Sequence, residues 1–134
     1  MTRRKDATEP RLLEQQREVD DLTAQCKAAT RFAFDTEFVM EDRYESEVCL
    51  IQVAVGDEVS LIDPFLKLDL SGFWALIADD QVEKVVHAGQ EDLAISVQHT
   101  SLPPRRVFDT QVASGLVGPD YPLSLQRLIQ MMLH

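Results

Sequence analysis

The segment RFAFDTEFV, Arg31–Val39, combines the pattern of a buried strand with two acidic residues. Its aromatic residues are typical of an interior, whereas the charges of Asp35 and Glu37 are costly to bury without compensation. Residues two apart on a strand project from the same face, roughly 7 Å apart along the chain. Two like charges in a partly desolvated site are compensated by a raised pKa or by a bound divalent cation. The segment therefore predicts a central strand that carries a chemical site. The alternative is that Asp35 and Glu37 lie on a solvent-exposed strand face without a chemical role.

Two further strands follow this one along the chain. Val48–Val55 (VCLIQVAV) is a continuous apolar run, and Gly56–Asp57 after it is typical of a hairpin turn. The segment EVSLIDP, residues 58–64, predicts the next strand, which ends at proline. With the polar segment MEDRYESE, residues 40–47, as a turn, the three strands form an antiparallel meander.

Helical and extended patterns alternate in the rest of the chain. One amphipathic helix is predicted before the meander, over residues 11–30. After the meander the pattern predicts helices over 68–80, 89–100, 110–118 and 124–134 and short strands over 82–88 and 107–110. Alternation implies right-handed crossovers and a parallel portion of sheet. The fold class is therefore α/β: a mixed five-stranded sheet, a meander followed by parallel strands, with helices on both faces.

A second acidic block follows a predicted strand. In VVHAGQEDL, residues 85–93, the strand ends at His87 and a helix that carries Glu91 and Asp92 begins. Ligands bind at the C-terminal ends of strands in open α/β sheets, so an acid in this first helical turn can reach the mouth of the sheet. Asp92 is the better candidate, because Glu91 is expected to face solvent. The alternative role of such an acid is to stabilise the helix dipole.

Composition restricts the class of protein. The 134 residues fit one domain, with residues 1–10 predicted as a disordered leader and residues 11–134 as the folded unit. The net charge of −10 leaves no basic face, so a phosphate-bearing substrate would need a local attractor such as a divalent metal ion. No secretory signal or membrane-spanning run is present, and the two cysteines have no metal-binding spacing. We expect free thiols, a cytoplasmic location and no membrane partner.

Several blocks of sequence resemble ribonuclease D, a member of the DEDD superfamily of 3′–5′ exonucleases with an RNase H-like fold. The blocks are FDTEF, CLIQVAVGDEVSLIDP, KVVHAGQEDL, VFDTQVA and LSLQRLI. They occur in this order from about Arg31 onward. The resemblance implies a 3′–5′ exoribonuclease that trims RNA 3′ ends, with tRNA precursors as the expected substrate and DNA as a further one.

The same resemblance implies the site residues. Asp35 and Glu37 match the first catalytic motif, and Asp92 matches the acid of the second. In the family such carboxylates hold two divalent metal ions, Mg²⁺ or Mn²⁺, at the scissile phosphate. Asp35 would bridge the two ions, Glu37 would bind the one on the nucleophile side, and Asp92 would act on the other.

Three more residues are implied as nucleic-acid contacts: Phe38, Gln52 and His87. Each also has a structural alternative. Phe38 can belong to the core, Gln52 can be a polar residue that flanks the strand ladder, and His87 can be a hydrogen-bonded residue at a strand end.

The family's last motif, Tyr-x-x-x-Asp, is absent from this sequence. Neither of its two tyrosines, Tyr44 and Tyr121, has an aspartate at that spacing. We therefore expect a C-terminally incomplete domain that is inactive or weakly active alone. The final helix is expected to expose apolar surface, and to allow self-association, at Leu128, Ile129, Met131 and Met132.

Two other functions stay open on the sequence. The chain can be a catalytically silent RNase H-like module for binding or assembly, which the missing motif favours. Less support exists for Asp35 and Glu37 as an acid–base pair for a small-molecule substrate. Asp109, in the VFDTQVA block, is predicted to cap the helix that follows it.

Overall fold

The computed structural model describes residues 8–39, 46–118 and 120–133. Within these ranges the chain forms a six-stranded mixed sheet and five α-helices. The strands are β1 (Arg11–Leu13), β2 (Arg31–Val39), β3 (Glu47–Val55), β4 (Glu58–Ile62), β5 (Glu83–Val86) and β6 (Val107–Asp109). The helices are α1 (Gln16–Ala29), α2 (Ser71–Ala78), α3 (Gln90–Thr100), α4 (Thr110–Val117) and α5 (Leu125–Leu133).

The strand order is β1-β4-β3-β2-β5-β6. Strands β2, β3 and β4 form the predicted antiparallel meander, and β5 and β6 add to it in parallel. Strand β2 lies inside the sheet, with β3 antiparallel on one side and β5 parallel on the other. The mixed α/β class and the central position of the acidic strand are both confirmed.

The first strand corrects the predicted five-stranded count. Arg11–Leu13 was predicted as the start of a helix, but it pairs in parallel with β4 and extends the sheet to six strands. The helix begins only at Gln16, because Gln15 and Glu18 form a capping box there. Leu13 is buried against the core, and this burial fixes the short strand. Most of the predicted leader and of the 40–47 turn lies outside the described residues.

The hydrophobic core fills the space between one sheet face and helices α1, α2 and α3. Phe32 and Phe34 of β2 meet Phe73 of α2 with ring centroids about 6 Å apart. Trp74 continues this aromatic cluster and stacks on His99 of α3. Because these aromatic rings anchor β2 from one side, its other face is left to carry the acidic side chains.

The start of helix α4 and that of helix α5 border the opposite sheet face, where Thr110 and Leu125 line a cavity with Ala33 and Ala54. Helices therefore lie on both faces, as predicted. The predicted apolar surface of α5 is also confirmed, since Ile129, Met131 and Met132 are exposed, whereas Leu128 is half-buried.

Both cysteines are free thiols. Cys26 is buried in the core, and this burial raises the pKa of its thiol to about 12. Across the described ranges, none of the helices has the length and apolar character needed to cross a membrane.

Candidate functional site

The acidic residues of β2 lie on its exposed face. Asp35 and Glu37 are exposed, whereas Phe34 before them and Thr36 between them are buried. This alternation is the one that a strand imposes, and it continues to Glu37, where the register with β3 shifts before Phe38. The two carboxylates are therefore presented together, backed by a rigid aromatic core.

Asp92 of the second acidic block is hydrogen-bonded to Thr36 of the first. Asp92 lies in the first turn of α3 and is only 6% exposed. Its Oδ1 accepts hydrogen bonds from the backbone N–H of Thr36 at 2.9 Å and from the Thr36 hydroxyl at 2.5 Å. Glu91 beside it is exposed, as expected. The fold thus brings three acidic residues from two distant blocks to one segment of the central strand.

The electrostatics of the site show that Asp92 and Glu37 both act on Asp35. Burial raises the pKa of Asp35, and the negative charges of Asp92 and Glu37 raise it further. The Thr36 N–H and the charge of His87 act in the opposite direction. A group of mutually repelling, hard oxygen donors suits a divalent cation such as Mg²⁺ or Mn²⁺.

Asp35, Glu37 and Asp92 therefore fit a metal ion by donor type and by charge. In the part of the chain that the structure describes, no group of three or more His, Cys, Asp or Glu side chains is arranged closely enough to hold an ion by itself.

The turn between β5 and α3 fixes where α3 begins. Ala88 adopts the left-handed conformation, with φ of 52°, which ends β5 two residues before the predicted end of that strand. Asp109, at the end of β6, accepts hydrogen bonds from the N–H groups of Ala88 at 3.0 Å and Gly89 at 2.9 Å. Its predicted role as the cap of α4 is confirmed, because it also accepts from Gln111 and Val112.

The pKa of Asp109 reflects these contacts. Burial alone would raise the pKa of its carboxyl group, but the backbone N–H groups of Gly89, Ala88, Gln111 and Val112 lower it below the ordinary value. The carboxylate is therefore ionised at neutral pH, and its charge strengthens each of these hydrogen bonds.

Two of the three implied nucleic-acid contacts lie beside Asp35. Gln52 of β3 is the direct cross-strand partner of Asp35. Gln52, His87 and Asp35 line a cavity of about 460 Å³ whose other walls are mostly apolar. His87 is held by both ring nitrogens, Nδ1 at 2.8 Å from the Thr110 hydroxyl and Nε2 at 2.9 Å from the Leu123 carbonyl. Phe38 does not line this cavity; it is half-buried and packs against the core.

Two residues that matter to the geometry were not identified from the sequence. Thr36 lies between the two acids and holds Asp92 through its backbone N–H and its hydroxyl group. Asp109 was interpreted only as a helix cap, yet it also holds the turn before α3. The available signal was weak in both cases: a threonine between two acids, and an aspartate between a strand and a helix.

Comparison with known proteins identifies the family and the fold. Residues 10–134 match the family model of the 3′–5′ exonuclease domain. Ribonuclease D of Shewanella sp. (strain ANA-3) is 35% identical over 109 residues, which is 81% of this chain and 28% of that protein. The structure of Escherichia coli RNase D superposes with a TM-score of 0.82 at 27% identity, over 92% of this chain and 33% of that one.

A more distant structure, Trypanosoma brucei RNase D in complex with RNA U12, has a TM-score of 0.66 at 19% identity and covers 77% of this chain and 38% of that chain. It shows the same fold. The chain belongs to the 3′–5′ exonuclease family, whose members generally use divalent metal ions. It spans less than a third of the Shewanella relative's length.

Proposed function

We propose that this chain is the metal-binding part of a ribonuclease D-type 3′–5′ exoribonuclease. The observation that carries the proposal is the convergence of Asp92 on the Asp35–Glu37 segment through Thr36. Family membership supports the reaction class, and the rise in the pKa of Asp35 caused by the charges of Asp92 and Glu37 supports a cation at this position.

Asp35, Glu37 and Asp92 would hold two divalent ions, Mg²⁺ or Mn²⁺. When bound, such ions lower the pKa of a water molecule and neutralise the charge of a phosphate group and of a leaving oxygen. Asp35 would serve both ions, since the charges of Asp92 and of Glu37 both act on it. Thr36 holds Asp92 in one orientation, so this carboxylate does not have to be ordered when the ions bind.

The cavity beside Asp35 is the proposed position of the terminal nucleotide. Its apolar walls suit a base or sugar, and the amide of Gln52 can pair with polar atoms of either. His87 would contribute an edge of its ring, since its two nitrogens are engaged by Thr110 and Leu123. Phe38 would contact the substrate at the outer end of β2. The substrate class is RNA 3′ ends, with tRNA precursors as the expected form and DNA as a second one.

A catalytically silent binding module is the second candidate for the isolated 134-residue chain. The sequence lacks the Tyr-x-x-x-Asp motif, so one family metal ligand and the tyrosine are missing from it. The exposed apolar face of α5 favours association with another protein surface, including a second copy of this chain.

Replacement of Asp35 tests the proposed function. Asp35→Asn should lower the weak Mg²⁺-dependent release of nucleotides that is expected of this chain from the 3′ end of a labelled RNA by about a hundredfold or more, because one essential charge is lost. The same variant should bind Mn²⁺ more weakly in calorimetric titration. Glu91→Gln is the matched control, since Glu91 is a neighbouring acid that faces solvent. Unchanged Mn²⁺ binding and unchanged trimming in Asp35→Asn would refute the proposal.

A further inference from the structure

We propose that Asp109 is a positioning residue for Asp92, an inference that rests on the proposed metal site. Asp109 does not lie in either acidic block, and it belongs to the edge strand β6. Its carboxylate connects this edge to the turn from which α3 starts, and α3 carries Asp92 in its first turn.

The two oxygens of Asp109 hold different parts of the chain. Oδ1 accepts from Ala88 N at 3.0 Å and from Gln111 N at 2.9 Å, so it serves the turn and the start of α4 together. Oδ2 accepts from Gly89 N at 2.9 Å. One side chain therefore links the β5–α3 turn to helix α4, which begins at the next residue.

The turn has little freedom to relax by itself. Ala88 is a non-glycine residue at φ of 52°, a conformation that needs support from the surrounding structure. Gly89 packs so closely on Val86 that an added Cβ would lie 2.5 Å from Val86 Cγ2. Thr110, next to Asp109, reinforces the link because its hydroxyl contacts His87 Nδ1 and donates to the Val86 carbonyl.

Asp92 is held at two ends as a result. On the chain side, the first turn of α3 closes with the bond from Leu93 N to the Gly89 carbonyl at 3.0 Å, so a shift of Gly89 moves Asp92 with it. On the strand side, Asp92 meets the N–H and hydroxyl of Thr36. The Thr36 contact orients the Asp92 carboxylate, and the Asp109 contact fixes the position of the start of α3 relative to the sheet.

An asparagine at position 109 separates this role from simple helix capping. Asparagine caps helices as well as aspartate does, so its Oδ1 can still serve Gln111 and the start of α4. Its NH₂ group replaces Oδ2 and cannot accept from the Gly89 N–H, which loses its partner. Asp69→Ala is the control for loss of an aspartate that holds the start of another helix, because the Asp69 side chain accepts from the Ser71 N–H at the start of α2.

The decisive measurement is the amide proton of Thr36 in the metal-free chain. It is hydrogen-bonded to Asp92, so its NMR shift and exchange rate report the position of that carboxylate without reference to activity. Asp109→Asn should shift this resonance and speed its exchange at least tenfold, whereas Asp69→Ala should leave it unchanged. In calorimetry, Asp109→Asn should weaken Mn²⁺ binding by about 10-fold, the lower end of the loss seen when a group that directly holds a metal ligand is removed.

The outcomes separate the two proposals. A Thr36 amide that is unaffected in Asp109→Asn overturns the positioning role, whatever the metal affinity. A shifted Thr36 amide resonance in Asp109→Asn supports the positioning role, even if the wild-type chain binds no Mn²⁺. Absence of Mn²⁺ binding by the wild-type chain would refute the proposed function but not the positioning role. If the wild-type chain binds Mn²⁺ and Asp109→Asn binds it with equal affinity, the positioning role is also overturned.

Discussion

Thr36 lies between the two acids of β2 and projects from the opposite face. It is 5% exposed, and both of its donors point to the same oxygen of Asp92. A buried carboxylate that accepts two hydrogen bonds is far less costly than one without partners. Thr36 therefore supplies the hydrogen bonds that water would supply to an exposed carboxylate, and it fixes the orientation of Asp92.

Replacement of Thr36 by valine removes the hydroxyl group and keeps the shape. Thr36→Val should lower the free energy of unfolding by about 1.5–3 kcal/mol, the usual worth of a hydrogen bond to a charged group. Urea denaturation measures this loss. Thr36→Ser keeps the hydroxyl and should retain Mn²⁺ binding, whereas Thr36→Val should weaken it. Equal Mn²⁺ affinity in the two variants would contradict a role for the hydroxyl at the site.

At the scale of single elements, the contact between β5 and α3 is set by a residue without a side chain. Gly89 precedes the first residue of α3, and Val86 at the end of β5 is buried against it. The close approach of the strand end to the helix start is what brings Asp92 over β2.

A methyl group at position 89 should therefore be costly. Gly89→Ala places a Cβ 2.5 Å from a buried valine, and we expect the free energy of unfolding to fall by about 1–3 kcal/mol. Gly72→Ala is the matched control, because the nearest atom to its Cβ is Thr23 Cγ2 at 3.7 Å. Inside α2 this change should stabilise the protein by about 0.5–1 kcal/mol. Similar values for the two variants in urea denaturation would contradict the packing argument.

Elements with a clear apolar period were predictable, and elements fixed by long-range pairing were not. The acidic strand, the meander and the helix bearing Asp92 follow from local pattern and turn residues. Arg11–Leu13 has no such pattern, since three residues become a strand only because the edge of β4 accepts them. The links from Thr36 to Asp92 and from Asp109 to Gly89 span 56 and 20 residues, so neither is visible as a local spacing.

For the molecule as a whole, one buried cation determines part of the response to pH. Lys84 of β5 is fully buried, and its Nζ donates to the Asp79 carbonyl at 2.6 Å and the Val82 carbonyl at 2.5 Å. Burial lowers the pKa of Lys84 from 10.5 to about 8, although the charge of Asp79 acts in the opposite direction. Between these values the unfolded chain binds a proton that the folded chain has released.

The free energy of unfolding should therefore rise as pH increases from 8. Cys26 acts with the opposite sign above pH 9, because its thiol ionises in the unfolded chain first and its folded pKa is about 12. The window of pH 8 to 9 isolates Lys84. Urea denaturation across this window should show a positive slope in the wild-type chain and a weaker slope in Lys84→Met. Identical slopes would show that Lys84 does not titrate in this range.

The two ends of the sheet carry a consequence for contacts between molecules. The outermost strands, β1 and β6, are three residues long each, so either edge offers only a few backbone groups to a neighbouring chain. Short edges of this kind resist the sheet-to-sheet joining by which many β-rich proteins aggregate. A lasting contact between copies would therefore depend on side chains more than on backbone pairing at the sheet edges, which makes such a contact sensitive to single substitutions.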